Sequence, residues 1–320
     1  MMWSILVAVL LIVYGFVAEA QQTAKIPVVG YLAGAGSGPS PIFIRELRDL
    51  GYVEGQNIAF VFRTAAGKSE QFNDLAAELV RLKVAIIVTE GTTPSLAAKK
   101  ATRTIPIVMT TSTDPVGTGL VSSFARPGGN ITGVTAVTGE LGGKLLELLK
   151  ETVPSLSRVA ILRSGSEADR LYVKDVEISA KALGIQTVDL VVRTPDDFEN
   201  AFRAMTKERA QGLLMRLPGN VYSDHFKRVA ELTAKRRLPA ISTSTAWVEA
   251  GGLMSYGPDR DINYRRAAVY VDKILKGTQP QDLPVEAPMK FQFAINLKTA
   301  KQIGLEIPQW TLMKADRVIR

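Results

Sequence analysis

The run Ile58-Ala59-Phe60-Val61-Phe62, the stretch Phe72-Asn73-Asp74-Leu75-Ala76-Ala77-Glu78-Leu79-Val80 and the run Val84-Ala85-Ile86-Ile87-Val88 follow one another in the chain. The two outer runs are short, nearly continuous in apolarity and rich in β-branched or aromatic residues. That is how strands covered on both faces read. The middle stretch sets Phe72, Leu75, Ala76 and Leu79 at i, i+3, i+4 and i+7, one face of a helix. Strand, helix and strand in that order predict a βαβ unit, the connection that a parallel sheet requires.

The same rhythm extends outward in both directions. Candidate strands are 27–32, 58–62, 84–88, 105–109 and 131–137, then a second series at 159–162, 186–192, 212–217, 238–242 and 252–256. Helical stripes recur at Leu141, Leu145, Leu148 and Leu149, at Phe198, Ala201, Phe202 and Met205, and at Tyr264, Ala267, Ala268, Val271 and Ile274. These stripes are core-facing and carry no chemistry. Ten strands divide most simply into two five-strand series, which predicts an α/β chain of two Rossmann-like lobes with parallel sheets. The first lobe is expected to hold 24–137 plus about 258–287, and the second 138–257 plus about 288–320. The chain therefore passes between lobes near 137–140 and again near Gly257-Pro258, with Tyr256 as the hinge candidate. Residues 277–288 hold three prolines and read as an irregular connection.

Residues 1–20 are unlike the rest. From 5 to 17 the chain is apolar, interrupted only by Tyr14 and Gly15, and Ala18-Glu19-Ala20 follows as an A-x-A pattern. A run of that length suits a signal-peptide core better than a membrane span. Export to the periplasm or the cell exterior is the expectation, and an uncleaved anchor is the alternative. The 320 residues contain no cysteine and one histidine, His225, which excludes disulfides, thiolate nucleophiles and multi-histidine metal sites. The formal charge is +8. Its bases are scattered, and Lys235-Arg236-Arg237 sits at a helix end, where cations complement the dipole. A solvated surface is expected, with no nucleic acid, no cofactor and a monomeric chain.

In parallel α/β sheets ligands bind beyond the carboxyl ends of the strands. In the first series those ends are 33–40, 89–93 and 110–115, rich in Gly, Ser and Thr. Gly36, Ser37, Gly91, Thr92, Thr93 and Thr111 suit a carboxylate held by hydroxyls and helix-start amides. Asp114 is the acid placed to receive an ammonium group. All of these residue types are also ordinary helix caps. In the second series Arg163, Ser164, Arg216 and Thr243 follow strands, and arginine there suits a carboxylate or phosphate. Gly34-Ala35-Gly36-Ser37-Gly38-Pro39 fails the dinucleotide pattern because proline stands at the third glycine and no acid closes the second strand. His225 opens a helix and reads as a surface or capping residue.

Several segments together resemble a known family. They are Gly51-Tyr52-Val53-Glu54-Gly55-Gln56-Asn57, Thr104-Ile105-Pro106-Ile107-Val108, Asp114-Pro115-Val116 and Arg126-Pro127-Gly128-Gly129-Asn130-Ile131-Thr132-Gly133. Further on come Glu249-Ala250-Gly251-Gly252-Leu253-Met254-Ser255-Tyr256-Gly257-Pro258, Ile274-Leu275-Lys276-Gly277 and Ile295-Asn296-Leu297-Lys298-Thr299-Ala300. Order and spacing from about Lys25 to the C-terminus resemble the ABC-transporter substrate-binding proteins that include TrpX-like, tryptophan-binding members, a branch of the type I periplasmic binding proteins. The resemblance implies two lobes that close on a small solute, an amino acid or other small carboxylate. It also implies delivery to a membrane permease, and no catalysis. Members often carry Asn-Pro after the first strand of the second lobe, where this chain has Arg163-Ser164-Gly165-Ser166. With Arg216, that departure favours an anionic group on the ligand. The rival readings are a sensory receptor with the same fold and an exported enzyme. The second needs a nucleophile or metal-bound water that the composition scarcely offers.

Overall fold

A computed structural model of the chain describes residues 26–320, apart from 35, 37, 67, 137–140, 166–168, 218–224, 289 and the side chain of Leu171. The expected signal segment and Ser37 lie outside the described residues.

The first lobe is built on strands β1 (Val28–Ala33), β2 (Ala59–Thr64), β3 (Ile86–Thr89), β4 (Ile107–Ser112) and β5 (Ile131–Thr135). They lie in the order β2-β1-β3-β4-β5, every neighbouring pair parallel. Helices α1 (Pro41–Asp49), α2 (Phe72–Arg81) and α3 (Thr92–Ala101) connect them. The β3 sequence Ile86-Ile87-Val88-Thr89 is buried at all four residues because the sheet is covered on both faces. One face meets Phe72, Ala76 and Leu79 of α2, the stripe marked by the sequence. Leu79 is wholly buried, which contributes roughly 1.5–3 kcal/mol.

The second lobe holds β6 (Arg158–Arg163), β7 (Gln186–Val191), β8 (Gly212–Arg216), β9 (Ala240–Ser242), β10 (Met254–Pro258), β11 (Phe291–Asn296) and β12 (Arg317–Ile319). Its order is β12-β11-β10-β9-β8-β6-β7. The helices after β5 are α4 (Gly142–Thr152), α5 (Asp169–Leu183), α6 (Asp197–Lys207), α7 (Phe226–Lys235), α8 (Thr245–Glu249), α9 (Arg260–Leu275), α10 (Leu297–Ile303) and α11 (Gln309–Met313). Two expectations need correction. The second sheet has seven strands and not five, and β11 runs antiparallel to β10 while its other pairs are parallel.

Both sheets share one winding. Taking each lobe's strands in chain order, the first five lie as 2-1-3-4-5. Each fifth strand also sends its helix across. β5 leads to α4, whose leucines fill the second lobe's core, and β10 leads to α9, whose Tyr264, Ala267, Ala268 and Val271 pack with Phe43 and Leu47 of α1 in the first. A third passage returns from the first lobe to β11. No helix among the described residues is long and apolar enough to cross a membrane.

Candidate functional site

A doubly wound sheet opens a crevice where successive connections leave in opposite directions, between its first and third strands in order of winding. In the first lobe these are β1 and β3. Past β1 the chain turns through Gly36, exposed at φ +94°. Past β3 come Glu90 and Gly91. Gly91 holds φ +108° at the N-cap of α3, a conformation in the region that favours glycine, and no side chain caps the helix. The first-turn amides, those of Thr92 and Thr93 among them, lack intrahelical acceptors and form the positive end of the helix dipole. Thr92 Oγ1 lies 3.3 Å from Ser112 Oγ and 3.2 Å from Thr113 Oγ1, and accepts from the Thr113 amide at 3.1 Å. It thereby ties the ends of β3 and β4 together. Thr93 is exposed and Thr111 half-buried on β4. Asp114 is half-buried, and its Oδ1 accepts from the Gly117 amide at 2.8 Å, so the carboxylate caps the turn it begins.

In the second lobe the corresponding strands are β6 and β8, and Arg163, Ser164 and Arg216 stand at their ends. Arg163 donates from Nε and Nη2 to the two oxygens of Asp189 on β7, each at 2.7 Å. Those hydrogen bonds hold its guanidinium above the usual range. Arg216 is 8% exposed, lies over the Tyr172 ring at 5.4 Å, and places Nε 3.7 Å from Asp169 Oδ1. Burial lowers its pKa, opposed by Asp169. Ser164 Oγ donates to the other oxygen of Asp169 at 2.8 Å. Both arginines therefore face a carboxylate of their own lobe, which removes the reason to expect an anionic ligand from their charge alone. Thr243 is half-buried past β9. Its carbonyl would sit 1.9 Å from a Cβ added at Gly257, so only glycine lets β10 approach there. Tyr256 is paired inside β10 and stacked on Phe291 at 5.7 Å. β10 ends two residues beyond it, at Pro258, and α9 begins at Arg260.

The family model described as ABC transporter substrate binding protein matches residues 42–319. The chain belongs to that family. Among curated relatives, the tyrosine-binding protein of Clostridioides difficile (strain R20291) is 27% identical over 265 residues, 82% of this chain and 76% of that one. Among solved structures, an ABC domain of Streptococcus pneumoniae in complex with L-Trp is 25% identical with a TM-score of 0.83. It covers 92% of this chain and 100% of its own. A conserved domain protein of Vibrio cholerae is 27% identical with a TM-score of 0.82 at the same coverage. The fold is that of the type I periplasmic binding proteins. The family's members bind substrates and are not enzymes.

For a substrate-binding protein, the residues that sequence reading missed are as informative as those it marked. Glu90, the first residue past β3, accepts from Arg260 Nη2 and from the Tyr264 hydroxyl on Oε1, and from the Tyr31 hydroxyl at 3.3 Å on Oε2. Arg260 also meets the Tyr264 hydroxyl at 2.6 Å. Burial, joined by the Glu90 charge, pushes both tyrosines well above the ordinary phenol range. Glu90 was within reach of sequence reasoning, since it precedes Gly91-Thr92-Thr93. Tyr264 was absorbed into an apolar stripe. Tyr172 is wholly buried beneath Arg216, and its hydroxyl has no hydrogen-bond partner among the described residues. His225 occupies the N-cap of α7 without a side-chain capping bond, its ring 6.2 Å from that of Phe198.

Proposed function

We propose that the chain is the exported receptor of an ABC importer, which captures a small amino acid or related carboxylate between its lobes and delivers it to a membrane permease. Residues 1–20 act as the signal peptide. The lobes comprise 24–137 with about 258–287, and 138–257 with about 288–320. The observation that carries the reading is the β3–α3 junction. A positive-φ glycine opens a ten-residue helix at the crevice of the first sheet, and a cluster of threonine and serine hydroxyls adjoins it. Helix-start amides and hydroxyls suit a ligand carboxylate without a buried counter-charge. Gly36, Gly91, Thr92, Thr93 and Thr111 form the first lobe's side, and Ser164, Arg216 and Thr243 the second's. With Arg163 and Arg216 matched by Asp189 and Asp169, a zwitterion of no net charge fits better than a dianion. Relatives that bind tyrosine and tryptophan make aromatic amino acids the first to test.

The test is thermal unfolding of residues 21–320, freed of carried-over ligand by unfolding and refolding, against a panel of amino acids, aromatic carboxylates, nucleosides and sugars. A ligand present at a thousandfold excess over Kd stabilises the folded state by about 4 kcal/mol. For lobes of this size that raises the midpoint by about 10 °C. An amino acid giving such a shift, lost on Thr92→Val, supports the reading. A panel with no shift at all refutes it.

A further inference from the structure

One helix of the first lobe holds every passage between the lobes. Asp259, at its N-cap, donates its amide to the Lys290 carbonyl at 2.9 Å, where the second and third passages run side by side. Arg260 and Tyr264, one turn apart, converge on Glu90 at the end of β3. Asn263 donates to the carbonyls of Thr110 and Thr135, the second being the last residue of β5 before the first passage. Arg266 grips Glu286 with two hydrogen bonds, Nε to Oε2 at 2.8 Å. Glu286 in turn joins β5, taking the Thr135 amide at 2.8 Å and giving its own to Gly133 at 3.0 Å. The side chains of α9 thus bind the end of β3 to the first and third connections, and the main chain at its N-cap ties the second to the third.

We infer that Glu90 is a positioning residue that couples the loop Gly91–Thr93 to the interlobe passage through Arg260 and Tyr264, and so sets the balance between open and closed lobes. This rests on reading that loop as a ligand loop. Glu90 and Gly91 share a peptide bond, so a shift of the α3 amides toward a ligand acts on the Glu90 backbone, and the three side chains bonded to its carboxylate either follow that shift or resist it. Charge-assisted bonds to a carboxylate are roughly twice as strong as neutral ones. Arg260 is therefore held to Glu90, and Arg260 is the first helical residue past the passage. A ligand can shift an open–closed equilibrium only through differential interaction with the two states, and this chain of contacts supplies one.

The chain has no cysteine, so paired spin labels can be introduced cleanly at Asn73→Cys on α2 and Lys207→Cys on α6, both exposed. Interlobe distances are measured by pulsed electron spin resonance in the free chain and with L-tyrosine or L-tryptophan, for the parent, Glu90→Gln and Arg260→Lys. The parent should give one narrow distribution in the free chain. Both variants should broaden or displace it with the unfolding midpoint and circular dichroism little changed. An apparent Kd about tenfold weaker is expected for whichever amino acid binds, if the competent arrangement becomes a tenth as populated. Distributions identical to the parent in both variants overturn the proposal, whether or not either amino acid binds. If instead Thr92→Val leaves amino-acid binding intact while Glu90→Gln still moves the distances, the ligand-loop reading fails and the coupling between Glu90 and the passage stands.

Discussion

Asn263 is the side chain whose replacement should be most costly for its size. It is 1% exposed, and its Nδ2 donates to the Thr110 carbonyl at 3.2 Å and the Thr135 carbonyl at 3.0 Å. Two carbonyl acceptors fix which amide atom faces them, so the nitrogen assignment follows from the geometry. Asn263→Ala removes two hydrogen bonds, each worth about 1 kcal/mol net. It also leaves two buried carbonyls short of a donor, which makes a loss of roughly 2–4 kcal/mol. Asn263→Asp keeps the shape and replaces the donor with an oxygen. At pH 7 that carboxyl must either ionise against two carbonyl oxygens or take up a proton.

The sign follows from linkage. Both burial and the carbonyls disfavour the ionised form, so the folded-state pKa rises above the ordinary value of about 3.9. The folded state then binds the proton that the unfolded state releases, and stability falls as pH rises through that window. A folded pKa near 7 costs about 4 kcal/mol at pH 7 and nearly nothing below about pH 4, at 1.36 kcal/mol per unit. Protonated aspartic acid can restore one of the two bonds. Urea unfolding of wild type, Asn263→Ala and Asn263→Asp should therefore show a deficit for Asp of about 4–6 kcal/mol at pH 7 that shrinks by roughly 3 kcal/mol near pH 4.5. The Ala deficit should stay flat across the same range. An Asp deficit below about 1 kcal/mol, or one that does not change with pH, would refute the reasoning, because either result means that Nδ2 is not the buried donor for both strands.

Tyr172→Phe removes a buried hydroxyl that has no partner among the described residues, while the ring beneath Arg216 stays. Calorimetry should find stability unchanged or raised by up to about 1 kcal/mol, and a loss larger than that would show the hydroxyl to be bonded. Glu286→Gln should flatten the acid limb of stability. The hydrogen bonds from Arg266 hold the Glu286 carboxyl below its usual range, so its contribution is present above the unfolded pKa and fades as pH falls through the folded one. Midpoints of wild type and variant should converge below about pH 4.5, the ordinary glutamate range. Parallel curves from neutral to acid pH would sink this account.

The βα rhythm was legible because strands covered on both faces cannot hide their apolarity. All ten strands expected from the sequence are present, with ends shifted by a few residues. β12 was not legible: Arg317-Val318-Ile319 is too short to carry a period, and it forms because Ala294, Ile295 and Asn296 offer it an edge. β11 was not marked either: its six residues run directly into the helix that begins at Leu297, with no turn between to set the strand apart. At the site, the loops were legible and the partners were not. Arg163 and Asp189 are far apart in sequence, and meet only because β6 and β7 are in register with Arg163 opposite Val191. For Asp114 the sequence offered a capping role beside a ligand role, and the Gly117 amide three residues later supplies the capping bond. Glu90 meets its main partners on α9, which the chain reaches only after building most of the second lobe.

That separation bears on how such a site selects its ligand. Charged side chains at the two crevices are matched within their own lobes, Arg163 to Asp189, Arg216 to Asp169 and Arg260 to Glu90. A matched pair attracts a free ion far less than a lone charge does, since the partner cancels most of its field. At the first crevice the start of α3 presents a positive end made of amides rather than of a side chain. Such a group favours a carboxylate without demanding net negative charge elsewhere in the ligand. Selectivity among amino acids then falls to the shape of the space and to the lobes' ability to close on it. On this reading, replacing Arg163 or Arg216 should disturb the second lobe more than it changes which ligands bind, whereas altering Gly91 or Thr92 should do the reverse.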